Sequence, residues 1–189
     1  MKTKQKRSQG QRKKVPEESF LCYVVDNKNT VLLLLQKEQV LTEKQCTRKL
    51  LLFLFDEKDQ HLFFINEQNE LELPFFSCIR APLCAEEYAL DLIHQISDLP
   101  EKELDTLTFS EEGTHYLEES LGGPSFVTCL GSRLERRHCC LPETKAYWFS
   151  KEEYQKLTKK GFVRLSPMLC LLQEKNWLPA WFTQEKRKR

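Results

Sequence analysis

Six consecutive apolar residues, Leu50–Phe55 (LLLFLF), constrain this chain more than any other segment. The run is far too short to span a bilayer, which takes about 20 residues of helix. As a strand, it sends successive side chains to opposite faces. An unbroken apolar run therefore requires cover on both faces of its sheet. Phe20–Val25 and Thr30–Leu35 are similarly apolar and carry the same expectation. With 189 residues there is enough chain for one domain with a substantial core.

Turn residues divide these runs into pairs. Phe20–Val25 and Thr30–Leu35 flank Asp26-Asn27-Lys28-Asn29, which predicts a hairpin. Leu50–Phe55 and His61–Ile65 flank Asp56–Gln60, which predicts a second. Gln36–Lys49 is polar and reads as a loop or short exposed helix, and Leu71–Phe76 as a further strand. Ala85–Ile96 predicts a helix, because Ala89, Leu92, Ile93 and Ile96 form one apolar stripe. Glu86 and Glu87 fall in its first turn, where the helix dipole favours negative charge. Residues 110–124, with Gly113, Gly122, Gly123 and Pro124, read as loop. Phe126–Leu134 reads as a strand, Arg133–Pro142 as a charged, cysteine-rich loop, and Ala146–Phe149 as a short strand. Ser150 and Glu153 form a capping box opening a helix that ends near Lys160, with Gly161 just beyond it. Ser166-Pro167 opens a last helix. This order predicts an α/β fold, an α/β/α sandwich around a mixed β-sheet. The domain is expected over 17–182, between tails at 1–16 and 183–189.

A formal net charge of +1 hides an asymmetry. Met1–Lys14 carries seven basic residues and no acidic one; Glu185–Arg189 adds four basic and one acidic. The body between them is acidic. The N-terminal tail is expected to be disordered. Both tails suit non-specific nucleic-acid contact through counterion release, but they lack interleaved aromatics for base stacking. A solubilising or targeting role is the other reading. No apolar segment follows Met1–Lys14, so a secretory signal and a membrane anchor are not expected. A cytoplasmic location with reduced thiols is. Of eight cysteines, Cys22, Cys129 and Cys170 lie in apolar patterns and read as small buried hydrophobes. Cys129, His138, Cys139 and Cys140 contain no paired zinc-ligand spacing, and a surface loop with free thiols is the reading there. Cys78 and Cys84 are not spaced as a dithiol motif. The chain has no G-x-S-x-G, and Gly122-Gly123 lacks the lysine of a phosphate-binding loop. Trp177, Leu178, Trp181 and Phe182 either seal a core edge or form an exposed partner site.

Three local patterns, in this element order, resemble the Nudix family. The first is the hairpin Leu50–Phe76, leading into Leu73-Pro74. The second is the Ala85-Glu86-Glu87-Tyr88 helix opening, and the third Ala146–Leu157 (AYWFSKEEYQKL). The resemblance covers roughly Phe20–Trp177. The family's box, G-x₅-E-x₇-R-E-U-x-E-E-x-G-U, sets carboxylates at i, i+3 and i+4 on one helix face. There they hold Mg²⁺, which activates water against a diphosphate. Anchored on Leu73-Pro74, this chain puts Phe75 and Phe76 at the glycines and Pro82 at the first glutamate. Leu90 stands at the arginine, and Asp91, His94 and Gln95 stand where three glutamates belong.

The resemblance therefore implies a Nudix fold with a degenerate box. The expected function is a non-catalytic binding or regulatory module for a nucleotide-like ligand, nucleic acid or a protein, with no cofactor. Asp91, His94 and Gln95 share one face of the box helix and are candidate ligand-binding residues, or an ordinary solvated face. Arg133, Arg136 and Arg137 are candidate phosphate ligands on a cleft rim, or residues of a solvated loop. A second expectation is a divergent hydrolase using Mg²⁺ or Mn²⁺, with carboxylates drawn from Glu86, Glu87, Asp91, Glu111 and Glu112. A third is a nucleic-acid-associated protein that binds through its tails.

Overall fold

In the computed structural model, residues 19–118, 123–142, 146–175 and 177 are described. The basic tails, Gly122, Leu178, Trp181 and Phe182 lie outside them. The organising strand is β3 (Thr47–Phe55). It runs parallel to β8 (Ser125–Arg133) over its whole length, from Thr47 opposite Ser125 to Phe55 opposite Arg133. Its other side is shared by β1 (Leu21–Val25), β6 (Phe75–Cys78) and β4 (His61–Ile65), all antiparallel. Beyond β1 lies β2 (Val31–Gln36); beyond β4 lie β5 (Glu70–Glu72) and β9 (Ala146–Phe149); beyond β8 lies β7 (Phe109–Leu117). A two-residue strand, β10 (Arg164–Leu165), runs parallel to β5. The mixed sheet is the expected one.

The unbroken apolar run of β3 has its predicted cause. Leu50, Leu52 and Leu54 pack with Tyr88, Ala89, Ile93 and Ile96 of α2 (Ala85–Ile96). Leu51 and Phe53 point the other way, onto Tyr154 of α4 (Lys151–Lys159) and Leu169 and Leu172 of α5 (Pro167–Glu174). All five β3 side chains are at most 1% exposed. Two helical layers enclose one sheet, an α/β/α sandwich.

Three turns share one construction. Oδ1 of Asp26 accepts from the N–H groups of Lys28 and Thr30; Asp56 does the same for Lys58 and Gln60, and Asn66 for Gln68 and Glu70. Each turn then passes through a left-handed residue, Asn29, Asp59 or Asn69, a conformation that Asn and Asp tolerate. The helix ends also follow the sequence. Ser150 and Glu153 cap α4 reciprocally, Gly161 adopts a left-handed φ of 65° beyond it, and Ser166 caps α5 ahead of Pro167.

Four expectations need correction. β3 starts at Thr47, because parallel pairing with β8 extends it past the apolar run; ahead of it α1 (Lys37–Glu43) is the expected short helix. Leu71–Phe76 is two strands, β5 and β6, interrupted at Leu73-Pro74. Residues 109–117 are strand β7 rather than loop; most of their side chains face solvent, and Gly113 sits at a register shift against β8. Finally, β2 is not covered on both faces: Val31, Leu32, Leu33 and Leu34 are 41%, 61%, 47% and 43% exposed.

His61 opens β4 beneath Phe55, their rings 5.6 Å apart, and is 6% exposed. Burial pushes its pKa down to about 4, against the opposing pull of Asp59 and Asp56. Above the ordinary histidine value both folded and unfolded chains hold it neutral. As pH falls from about 6.5 toward 4, the unfolded chain gains a proton that the folded chain refuses, so stability falls. The expected loss at the acid end is on the order of 3 kcal/mol. Denaturant unfolding across that window should show the slope flattened in His61→Phe. An unchanged slope in the variant would assign the acid sensitivity elsewhere.

Candidate functional site

The box-like segment folds as strand, loop and helix. Phe75 and Phe76, at the glycine positions, pair with Leu52 and Leu51 within β6 and send their rings into opposite layers. Aromatic packing replaces the tight loop that glycines would allow. The loop after β6 carries Arg80 and a cis Ala81–Pro82 peptide. Cys84 then caps α2: its Sγ accepts from the Glu87 N–H, and the Glu87 carboxylate accepts from the Cys84 N–H at 2.8 Å. Thus Glu87 serves the helix end. The Tyr88 hydroxyl meets Ser77 Oγ at 3.1 Å and ties α2 to β6.

Opposite its buried stripe, α2 borders an open cavity of about 700 Å³. Asp91, His94 and Leu90 line it from the helix, with Arg80, Pro82 and Leu83 from the preceding loop. Glu101, Leu104 and Asp105 close it from α3 (Glu101–Leu104) and the residue that follows. Glu87 also reaches it, giving four carboxylates against one guanidinium and one imidazole. The cavity is acidic with leucine patches. Gln95 is exposed on α2 and is not among its lining residues.

The three arginines lie elsewhere. Arg133 donates to the Asp56 carbonyl and pairs with Asp59 at 2.8 Å, while its guanidinium lies over the Phe55 ring. Arg136 pairs with the fully buried Asp56 carboxylate and lies over Trp148. Arg137 pairs with Glu135. Their loop docks on the far end of α2, where the Cys140 N–H donates to the Ile96 carbonyl and His138 Nδ1 meets Asp98 at 2.8 Å. None of the three lines the cavity. The structure brings Asp91 and His94 together and leaves Gln95, Arg133, Arg136 and Arg137 outside. Glu101 and Asp105 escaped the sequence reading because they follow the helix rather than belong to any box position.

A crystal structure of DR0079 from Deinococcus radiodurans has this architecture. It superposes with a TM-score of 0.57 at 12% identity, covering 82% of this chain and 98% of that one. The solution structure of DR0079, a hypothetical Nudix protein, matches over 85% and 95% at 14% identity, with a TM-score of 0.49. The chain has the Nudix fold. A MutT protein from Methanosarcina mazei is also similar, at 13% identity over 70% of this chain and 94% of that one, with a TM-score of 0.48. No protein-family model matches the chain, and no curated protein matches it in sequence.

Nudix chemistry needs a divalent metal, and the described residues do not fit one. Among them no three His, Cys, Asp or Glu side chains are grouped so that they could hold an ion. The carboxylates expected as reserves for the box are dispersed. Glu87 caps α2, Glu86 is exposed outside the cavity, and Glu111 and Glu112 are exposed on β7. Asp91 and His94 alone offer too few ligands. Among the described residues, no helix is long and apolar enough to cross a membrane.

Proposed function

We propose that this Nudix-fold protein is a non-catalytic binding module, with the cavity beside α2 as its ligand site. The observation that carries this reading is the helix face itself. Asp91, His94 and Gln95 occupy the register of three glutamates, and among the described residues no carboxylate trio is grouped to hold an ion in their place. Of the ligand classes open to such a module, the cavity's charge favours a basic group of a protein partner. Four carboxylates repel an unshielded diphosphate, and among the described residues no group of ligands is placed to hold a screening metal. The loop arginines Arg136, Arg133 and Arg137 are paired with Asp56, Asp59 and Glu135, and Arg80 alone sets a guanidinium against the four carboxylates lining the cavity.

Steady-state assays of the full chain with nucleoside diphosphate derivatives, in Mg²⁺ or Mn²⁺, test the reading. No turnover above background is expected. Turnover at ordinary enzymatic rates, about 1 s⁻¹ or more, would overturn it and favour a divergent hydrolase.

A further inference from the structure

We propose that β2 is a dimerisation edge, through which two copies of this chain join by antiparallel pairing of Val31–Gln36 into one continuous sheet. β2 ends the strand path and pairs only with β1 among the described strands. Its outer backbone edge faces away from the sheet. Four successive side chains, Val31–Leu34, are exposed, and Leu21 and Leu41 border them at 39% and 40%. These make six of the nine large apolar side chains exposed among the described residues. Free edges are ordinarily guarded by charge or proline. Between Lys28 and Lys37 this strand has neither.

The pattern fits a second copy. A two-fold axis through Leu33 sets Leu33 against itself, Leu32 against Leu34 and Val31 against Leu35. Every central cross-strand pair is then apolar, and no like charges meet. At the ends, Lys28 of one copy falls on the side of Glu38 of the other, twice by symmetry. The chain's own ends are poorer occupants. Residues 1–14 hold one apolar side chain, Met1, among seven basic residues. At the other end, Trp177 stacks on His115 of β7, across β8 and β3 from this edge.

Sedimentation equilibrium of the full chain, from about 1 to about 100 µM, is expected to show a monomer–dimer equilibrium, since a one-strand contact is at the small end of stable interfaces. Leu33→Lys and Leu33→Glu should each be monomeric, because like charges then meet on the axis. An equimolar mixture should restore the dimer. Amide exchange of unmodified protein should slow at residues 31–36 as concentration rises, a readout independent of how the variants fold. A wild-type monomer throughout, a dimer that survives Leu33→Lys, or concentration-independent exchange at β2 would each overturn the proposal.

Discussion

Replacing Asp56 with alanine is expected to cost about 2–4 kcal/mol, because two turn N–H groups and a half-exposed guanidinium lose their buried acceptor. The Asp56 side chain is fully buried. Oδ1 accepts from the Lys58 and Gln60 N–H groups and Oδ2 pairs with Arg136, so one carboxylate holds both the β3–β4 turn and the loop behind it. Burial alone would push its pKa up. The hydrogen bonds from Gln60, Arg136 and Lys58 together outweigh burial and hold it below the usual carboxylate range. Its stabilisation is therefore present at neutral pH and lost as pH falls through that depressed value. Removing it strips two N–H groups of their acceptor and leaves Arg136 without its counter-charge. Asp56→Asn should recover part of the loss, since an amide oxygen can still accept from the turn. Urea unfolding of the three proteins checks the order. A cost below about 1 kcal/mol for alanine would mean that the turn holds itself.

Phe53→Ala is expected to be comparably damaging, at about 3–5 kcal/mol. Phe53 is 1% exposed on β3 and belongs to the layer formed with Phe63, Tyr154 and Leu169. Phe63 stacks on Tyr154 with ring centroids 5.3 Å apart, so that side of the sheet is built of interlocking rings. A cavity there is ringed by stiff aromatics and β-strand backbone, which collapse poorly. Leu33→Thr, on exposed β2, serves as contrast and should shift monomer stability little. Equal losses at the two sites would contradict the assignment of β3 as the buried axis of the fold.

Much of the fold was legible because its causes are local. Apolar runs, Asx-type turn residues and capping boxes all act within a few positions, so both early hairpins, α2, α4 and α5 could be placed from the sequence. The failures have a common origin in long-range pairing. β7 is half polar and interrupted by Gly113; it is a strand because β8 lies beside it. β2 has the composition of a covered strand and lies at the edge of the described sheet, and periodicity does not distinguish the two. At the candidate site, the residue types at the box positions were readable directly. The acid supplied by Glu101 and Asp105, and the engagement of Arg133 and Arg136 by Asp59 and Asp56, depend on chain neighbours far apart in sequence.

Phe75 and Phe76 give the box-like segment a packing role of its own. They pair with β3 and fill both layers, while Ala89, Ile93 and Ile96 seat the helix. On the proposed reading the segment serves folding rather than metal. Calorimetric titration of the full chain with Mn²⁺ tests this most directly. No saturable binding is expected up to about 1 mM, whereas His94→Glu combined with Gln95→Glu, which restores three carboxylates at i, i+3 and i+4, should create a measurable site. A stoichiometric site in the unmodified protein, with Kd below about 100 µM and abolished by Asp91→Asn, would contradict the claim that this box serves folding rather than metal.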